Sequence, residues 1–319
     1  MQGLENWSDK EDTLDLLQSF RLETSFYFKP FFKSTFTNTS KSVDLITKVP
    51  LFYLVKRGIS SNSLDQVLLN QAEKNGVNVH FDKTIPVNEA DIIATGPFNK
   101  KPAAFGQGIT FKTNHKDISV SIINNSTSCL AYAYLLVADG HGCIATVLFD
   151  DFTNAKNYLK ESIKTFEKIT RITYENTRPF GSFGNFSLQP EYKDGDALLV
   201  GEAAGLQDFL AGFGMKTAIK SGYLAARSII ENTDYQEIAK REFSDYLKAG
   251  IVNRYLFEKD AKHHHKLFLS GIERPDFPEI LQSLYNFNKY QRRLYPLAYR
   301  YIKKKYPKVL GKTAKTVHL

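Results

Sequence analysis

Cysteine, tryptophan and methionine are scarce in this chain, with two, one and two copies in 319 residues. Two thiols cannot build a disulfide scaffold. Cys129 and Cys143 fall in one expected β-hairpin turning at Asp139-Gly140, where Cys143 lies opposite Leu136 and Cys129 opposite Asp150. The thiols are therefore not cross-strand neighbours, and a reduced, cytoplasmic pair is expected. No apolar run exceeds the nine residues of 130–138, against roughly 20 for a membrane-spanning helix. The opening MQGLENWSDKED has neither the basic nor the apolar segment of a secretory signal. Acidic residues are absent after Glu279, while the last forty residues hold seven Lys and three Arg. The formal charge of +8 thus resides in the tail, and the first 279 residues carry a net charge of −2. What is abundant is apolar: 42% hydrophobic and 13% aromatic residues suit a folded chain of two or three units and exclude disorder.

The spacing predicts a helix over 11–20, capped by Ser8 or Asp9, with Leu14, Leu17 and Phe20 on one face. Strands are expected over 24–29, 41–47 and 51–56. Ser63 caps a second helix that ends at Gly76, followed by short buried strands over 77–81 and 91–95. From 98 to 149 the period becomes two, as in a meandering antiparallel sheet with strands over 118–123, 129–137 and 143–149. A helix over 154–169, a Gly and aromatic loop over 178–186, a strand over 197–200 and a small-residue helix over 215–230 follow. Beyond Asn232 the pattern is helical.

The most informative stretch is DGDALLVGEAAGLQDFLAGFGMKTAIKSGYLAARSII, residues 194–230. A buried strand leads through a Gly/Ala turn and a loop to Gly212-Phe213-Gly214 at the head of a helix. Glycines there let a ligand approach main-chain N–H donors, and the helix N-terminus favours electron-rich groups. The helix is expected to pack through Met215, Ala218, Gly222, Ala225 and Ile229; plain helix-on-sheet packing is an equally open reading of the small residues.

The runs LLVGEAAG and LAGFG with the helix after them resemble the second flavin-binding motif of FAD-dependent oxidoreductases of the geranylgeranyl reductase and aromatic hydroxylase type. YLVKRGISSNSLDQVLL at 53–69 resembles the family's strand, Arg and helix start, and DIIATGP at 91–97 its strand beside the nucleotide. AYAYLLVADGHGCIATVLF at 131–149 is similar to its substrate-domain hairpin. The resemblance covers about residues 1–232. It implies an α/β fold, α+β overall: an incomplete Rossmann-like FAD-binding domain at 1–97 and 190–232, with 22–50 lending strands to the substrate sheet. An inserted antiparallel-sheet substrate domain at 98–189 and a helical C-terminal region at 233–319 complete it.

The resemblance also implies roles. Gly201 and Glu202 stand in the turn where the family has an Asp on the flavin's sugar hydroxyls, Gly212, Gly214 and Met215 face the isoalloxazine, and Arg57, Thr95 and Gly96 flank the nucleotide half. Tyr132 and Tyr134 line the substrate pocket in that reading, whereas the residue pattern alone favours plain core. FAD is the implied cofactor, NAD(P)H a candidate reductant, and an apolar polyprenyl or aromatic small molecule the implied substrate. Two departures stand out: Glu202 replaces the usual Asp, and Phe209 a usual Pro. A third is an absence, since no G-x-G-x-x-G opens a strand-turn-helix unit. The expectation is a chain that starts after the dinucleotide motif, with a non-catalytic or partner-dependent subunit as the competing function and an N-terminal βαβ fragment as its partner.

No catalytic acid or base and no metal site is implied. His263, His264 and His265 are consecutive, which suits a solvated surface rather than ligands at i and i+4. His80, His115 and His141 have no partner constellation. The tail over 287–306 is amphipathic, with Phe287, Tyr290, Leu294, Leu297 and Tyr301 on one side and basic residues on the other, and Pro296 is expected to kink or restart it. It reads as a docking helix first and as a peripheral contact with an anionic membrane second; nucleic acid ranks last because no stacking aromatics share the basic face.

Overall fold

The structure, a computed structural model, describes residues 1–96, 102–184 and 186–307. Pro97, and Lys308, Lys312 and Lys315 of the tail, lie outside the described residues. The chain runs through β1 (Gln2–Glu5), α1 (Thr13–Ser19), β2 (Phe28–Phe31), β3 (Lys33–Thr37), β4 (Ser42–Ile46), β5 (Phe52–Val55), α2 (Leu64–Lys74) and β6 (Ile92–Ile93). β7 (Ala104–Lys112), β8 (Ile118–Ile122), β9 (Ala133–Ala138), β10 (His141–Leu148), α3 (Ala155–Thr170) and β11 (Glu175–Gly184) follow. Then come β12 (Lys193–Asp194), β13 (Ala197–Leu199), α4 (Met215–Glu231), α5 (Tyr235–Asp260), α6 (Lys266–Ile272), α7 (Phe277–Ser283) and α8 (Lys289–Lys305).

Three sheets carry the mixed α/β fold. β1-β5-β2 is antiparallel, and the fully buried β5 is its centre. α1 and α2 pack on one face of it through Leu17, Leu64 and Val67, with Met215 and Ile219 of α4 beside them. The large sheet has the order β11-β7-β10-β9-β8-β3-β4. It is mixed rather than purely antiparallel, because β3 pairs parallel to β8. Alternation along β9 sends Leu135 and Val137 toward α3, where Phe166 closes the core, and Tyr134 and Leu136 to the opposite face. The third sheet, β12-β13-β6, holds the parallel pair β13–β6. α5 covers it with Tyr235, Ala239, Phe243 and Leu247, then runs on to pack Val252 against Ala298 and Ile302 of α8. Arg254, fully buried on α5, pairs with Glu258 at 2.7 Å and lies over the Phe149 ring, which ties α5 to the large sheet.

Several expectations are corrected. The first element is the strand β1, not a helix; its short length hid it, and it forms because β5 supplies a ladder. α1 starts at Thr13, capped by Asp12 rather than Ser8 or Asp9. The expected first strand moves to β2 and β3. Residues 77–81 form no strand: Val77 and Phe81 are 53% and 72% exposed, and among the described residues no strand pairs with them. The expected strand at 91–95 shrinks to β6, with Ile93 buried and Ile92 exposed. The loop expected over 178–186 is β11 as far as Gly184, an edge strand along β7; with almost every residue exposed it has no period-two signal, and Pro179 is tolerated at an edge. α4 buries Lys216, Thr217, Ser221, Ala225 and Ser228, whereas Ile229 is exposed. α8 runs unbroken through Pro296 and buries Gln291, Ala298 and Ile302, leaving Tyr290 and Leu297 exposed among the basic residues. His265 is buried against the Phe257 ring, unlike the exposed His263 and His264.

Candidate functional site

A cavity of about 550 Å³ lies between β1, the inner face of the large sheet, the segment 206–215 and helices α5 to α7. Its wall at 206–215 is built by short-range hydrogen bonds. The Asp208 amide donates to the Phe213 carbonyl at 2.8 Å, and the Gly212 amide returns to the Asp208 carbonyl at 3.0 Å. Gly212 has φ +74, and a side chain added there would meet nothing within 4 Å, so the position opens directly on the cavity. Gly214 is the N-cap of the 17-residue α4, and no side chain caps it. The positive end of α4 therefore faces the cavity. Phe209 is buried among Phe149, Phe186 and Tyr306 and anchors the outer side of the loop.

The structure gathers Arg57, Tyr132, Tyr134, Glu202, Gly212, Gly214 and Met215 on the wall of this one cavity. Arg57 sits at the rim, held by both carboxylate oxygens of Asp65 at 2.7 Å and by Gln2 at 2.8 Å. The Tyr132 hydroxyl donates to the Ala211 carbonyl and so pins the loop to the large sheet. Burial pushes both the Tyr132 and Tyr134 phenols above their usual range, so both remain proton donors. Gly201 stands behind the wall: its amide donates to Ser221 at 2.9 Å, and at φ +58 it lets the turn approach Ala218 of α4. Thr95 and Gly96 are not part of the cavity wall; Thr95 is exposed at the end of β6. Among the described residues no three His, Cys, Asp or Glu side chains converge as a metal site, and neither cysteine is bridged.

Trp7, Gln207, Phe257, Phe268, Phe277 and Tyr285 also line the cavity and escaped the sequence reading. Only Gln207-Asp208 left a usable signal, an Asp three residues before an amide it accepts. The others come from α5, α6 and α7, from the turn after α7 and from the segment that follows β1, distant in sequence.

The isoalloxazine of a flavin fits this wall. Gly212 leaves space, the uncapped end of α4 suits the electron-rich edge of the ring, and the Gln207 Oε1 is buried with no hydrogen-bond partner, an acceptor that a ring N–H would satisfy. Two solved structures share the architecture. A geranylgeranyl bacteriochlorophyll reductase-like protein from Thermoplasma acidophilum superposes with a TM-score of 0.59 at 15% identity, over 96% of this chain and 89% of that one. The flavin-dependent brominase Bmp2 gives 0.63 at 12% identity, over 96% and 90%. This chain shares the fold of these two proteins. In sequence it is 33% identical over 96 residues to digeranylgeranylglycerophospholipid reductase 3 of Methanosphaera stadtmanae, 29% of this chain but 23% of the length of that relative. No family model matches. The segment that resembles a second flavin-binding motif contributes Glu202 and much of 206–215 to the cavity wall, and no helix among the described residues is long and apolar enough to cross a membrane.

Proposed function

We propose that the chain is a flavin-dependent oxidoreductase that takes an apolar, polyprenyl or aromatic small molecule. The observation that carries this reading is the cavity itself. It opens on the uncapped end of α4 at Gly212 to Met215 and extends between Phe36, Phe257, Phe268 and Phe277. When bound, FAD supplies the hydride or oxygen-activating chemistry, with NAD(P)H a fitting reductant. The chain's own residues do the rest. Gly212 and Gly214 admit the ring plane, Gln207 accepts from it, and the α4 terminus stabilises negative charge on it. Arg57, fixed by Asp65, guards the rim, and Glu202 faces the sugar side. The phenylalanines exclude water and align an extended apolar chain, with the Tyr134 hydroxyl as a proton donor at the sheet face. Titration of the purified chain with FAD tests the reading. Two visible flavin bands that red-shift on binding are expected; folded protein that takes up no flavin overturns it.

A second reading has its own observation. Val77, Phe81, Ile85 and Ile92 are all exposed in the stretch of chain that leads into β6, which pairs on one side only among the described residues; these are apolar residues that a βαβ fragment of a partner chain would cover. In that reading the chain binds flavin only as part of a complex. Co-expression with a strand–GxGxxG–helix fragment distinguishes the two: flavin retained only in the complex favours the second. The exposed face of α8, with Lys289, Arg293, Arg300, Lys303 and Lys304 around Tyr290 and Leu297, further suits an anionic bilayer, at about 1 kcal/mol per nearby cation. Co-sedimentation with phosphatidylserine vesicles at low salt, lost at high salt, is the expected result.

A further inference from the structure

Behind the loop that faces the cavity lies a buried polar cluster that the proposed chemistry does not use. Asp208 is 1% exposed. Its carboxylate accepts the Leu210 amide at 3.2 Å, the Ala211 amide at 2.6 Å and the Tyr285 hydroxyl at 3.3 Å. α5 passes so close that a side chain on Gly250 would stand 3.3 Å from the Asp208 Oδ1. Glu5, 2% exposed on β1, accepts the hydroxyls of Ser8 at 3.3 Å and Tyr246 at 3.1 Å. Lys216 of α4, also buried, reaches Ser8 at 3.2 Å and the Asp9 carboxylate at 2.7 Å. The other charged or titratable groups coupled to the pair are Arg254 and Tyr246 of α5, Tyr285 before α8 and Tyr132 ahead of β9.

We propose that Asp208 is the positioning residue of the cavity-facing loop, and that Glu5, buried beside it, makes the loop's shape respond to protonation. An ionised Asp208 offers acceptors to two amides and a hydroxyl at once, which sets the turn that carries Ala211 and Gly212. A protonated carboxyl turns one oxygen into a donor and gives up part of that set. The groups are tuned for this. Burial pushes the Asp208 carboxyl up to about 6, against the amides of Ala211 and Leu210. Burial pushes Glu5 up to about 7, with Lys216 opposing and the Asp208 charge adding to the rise. Protons therefore enter the cluster in the mildly acidic range as coupled steps.

The chain carries its own reporter. Trp7 is its only tryptophan, packed edge-on against Phe213 of the loop with ring centroids 4.6 Å apart, and 6.4 Å from the Tyr285 ring. Tryptophan emission of the full chain, recorded between pH 5 and 8 without flavin, is expected to show a transition. Asp208→Asn should hold the emission near its acid value throughout, and Glu5→Gln should remove the proton step nearer neutrality and leave the transition at the lower midpoint that belongs to Asp208. Tyr285→Phe keeps the ring, removes one donor to the carboxylate and should move the midpoint higher; it decides the matter if Asp208→Asn does not fold by circular dichroism. A flat wild-type profile, an unchanged transition in Asp208→Asn, or an unmoved midpoint in Tyr285→Phe overturns the proposal. The functional consequence rests on the flavin reading: FAD should bind at least threefold more weakly at pH 5.5 than at pH 8, and equally weakly at both in Asp208→Asn. FAD binding that is independent of pH in the wild type overturns the coupling. A wild-type chain that takes no FAD while its emission transition persists refutes the flavin reading alone and supports the positioning role.

Discussion

The large sheet and the parallel pair β6–β13 hold strands of similar apolar character in opposite circumstances. β9 lies between β8 and β10, with α3 on one face and the cavity on the other, and Leu135 and Val137 are fully buried. Among the described residues β6 has a neighbour on one side only, and the apolar residues leading to it, Val77 through Val87, face solvent. Alternating apolar residues become a strand only where another strand completes the ladder and another layer covers the face. The 77–81 segment has the composition but neither partner. β11 has the partner without the pattern, and it is the strand.

Truncation of the covered side should have the largest effect. Leu135→Ala removes a fully buried side chain from the β9 core and should cost about 2–5 kcal/mol in denaturant unfolding. A loss under 1 kcal/mol would mean that this sheet is no better packed than the uncovered pair.

Next in size is an acid effect at the end of the cavity. His265, buried on Phe257, has its imidazole pushed down to about 4, chiefly by burial, while the Asp260 charge opposes. Its folded pKa lies below the unfolded value of 6.5, so the unfolded chain binds more protons between those values. The stabilisation is complete above pH 6.5 and is lost as pH falls through 4. About 2–3 kcal/mol of acid-sensitive stability should vanish in His265→Asn, a residue that tolerates the left-handed backbone there at φ +55. Urea melts at pH 7 and 4.5 measure it, and equal slopes in both proteins would exclude His265 as the source.

Between the two regions stands the loop. Gly212→Val places a branched side chain in the open space at φ +74 and should weaken FAD at least tenfold, read by flavin fluorescence quenching. Unaltered affinity would move the ring away from this wall. The smallest effect belongs to the uncovered side: Phe81→Ser, at a residue 72% exposed, should change stability by less than about 0.5 kcal/mol and reduce self-association in light scattering. A loss like that of Leu135→Ala would show that the strip is covered in solution.

Much of the wall was legible beforehand. Ser63 caps α2, α4 begins at Met215 after Gly212 and Gly214, and the hairpin sets Cys143 opposite Leu136, all as local chemistry dictates. Cap geometry, glycine freedom and turn residues act over a few positions and are therefore written locally. Glu202 and Tyr132 were placed by motif resemblance, and they do share the cavity; Thr95 and Gly96 do not.

The sequence alone determined the class of the fold, the glycine-bearing turn at the head of α4 and the concentration of positive charge in the tail. Only the tertiary structure decided that residues 77–81 stay outside any sheet, that His265 is buried, and that Asp208 and Glu5 meet behind the loop. Glu5 and Asp208 are more than two hundred positions apart, and 77–81 lacks a partner strand among the described residues. Burial, which moves the carboxyl and imidazole pKa values, is a property of the assembled layers that no short run of residues encodes.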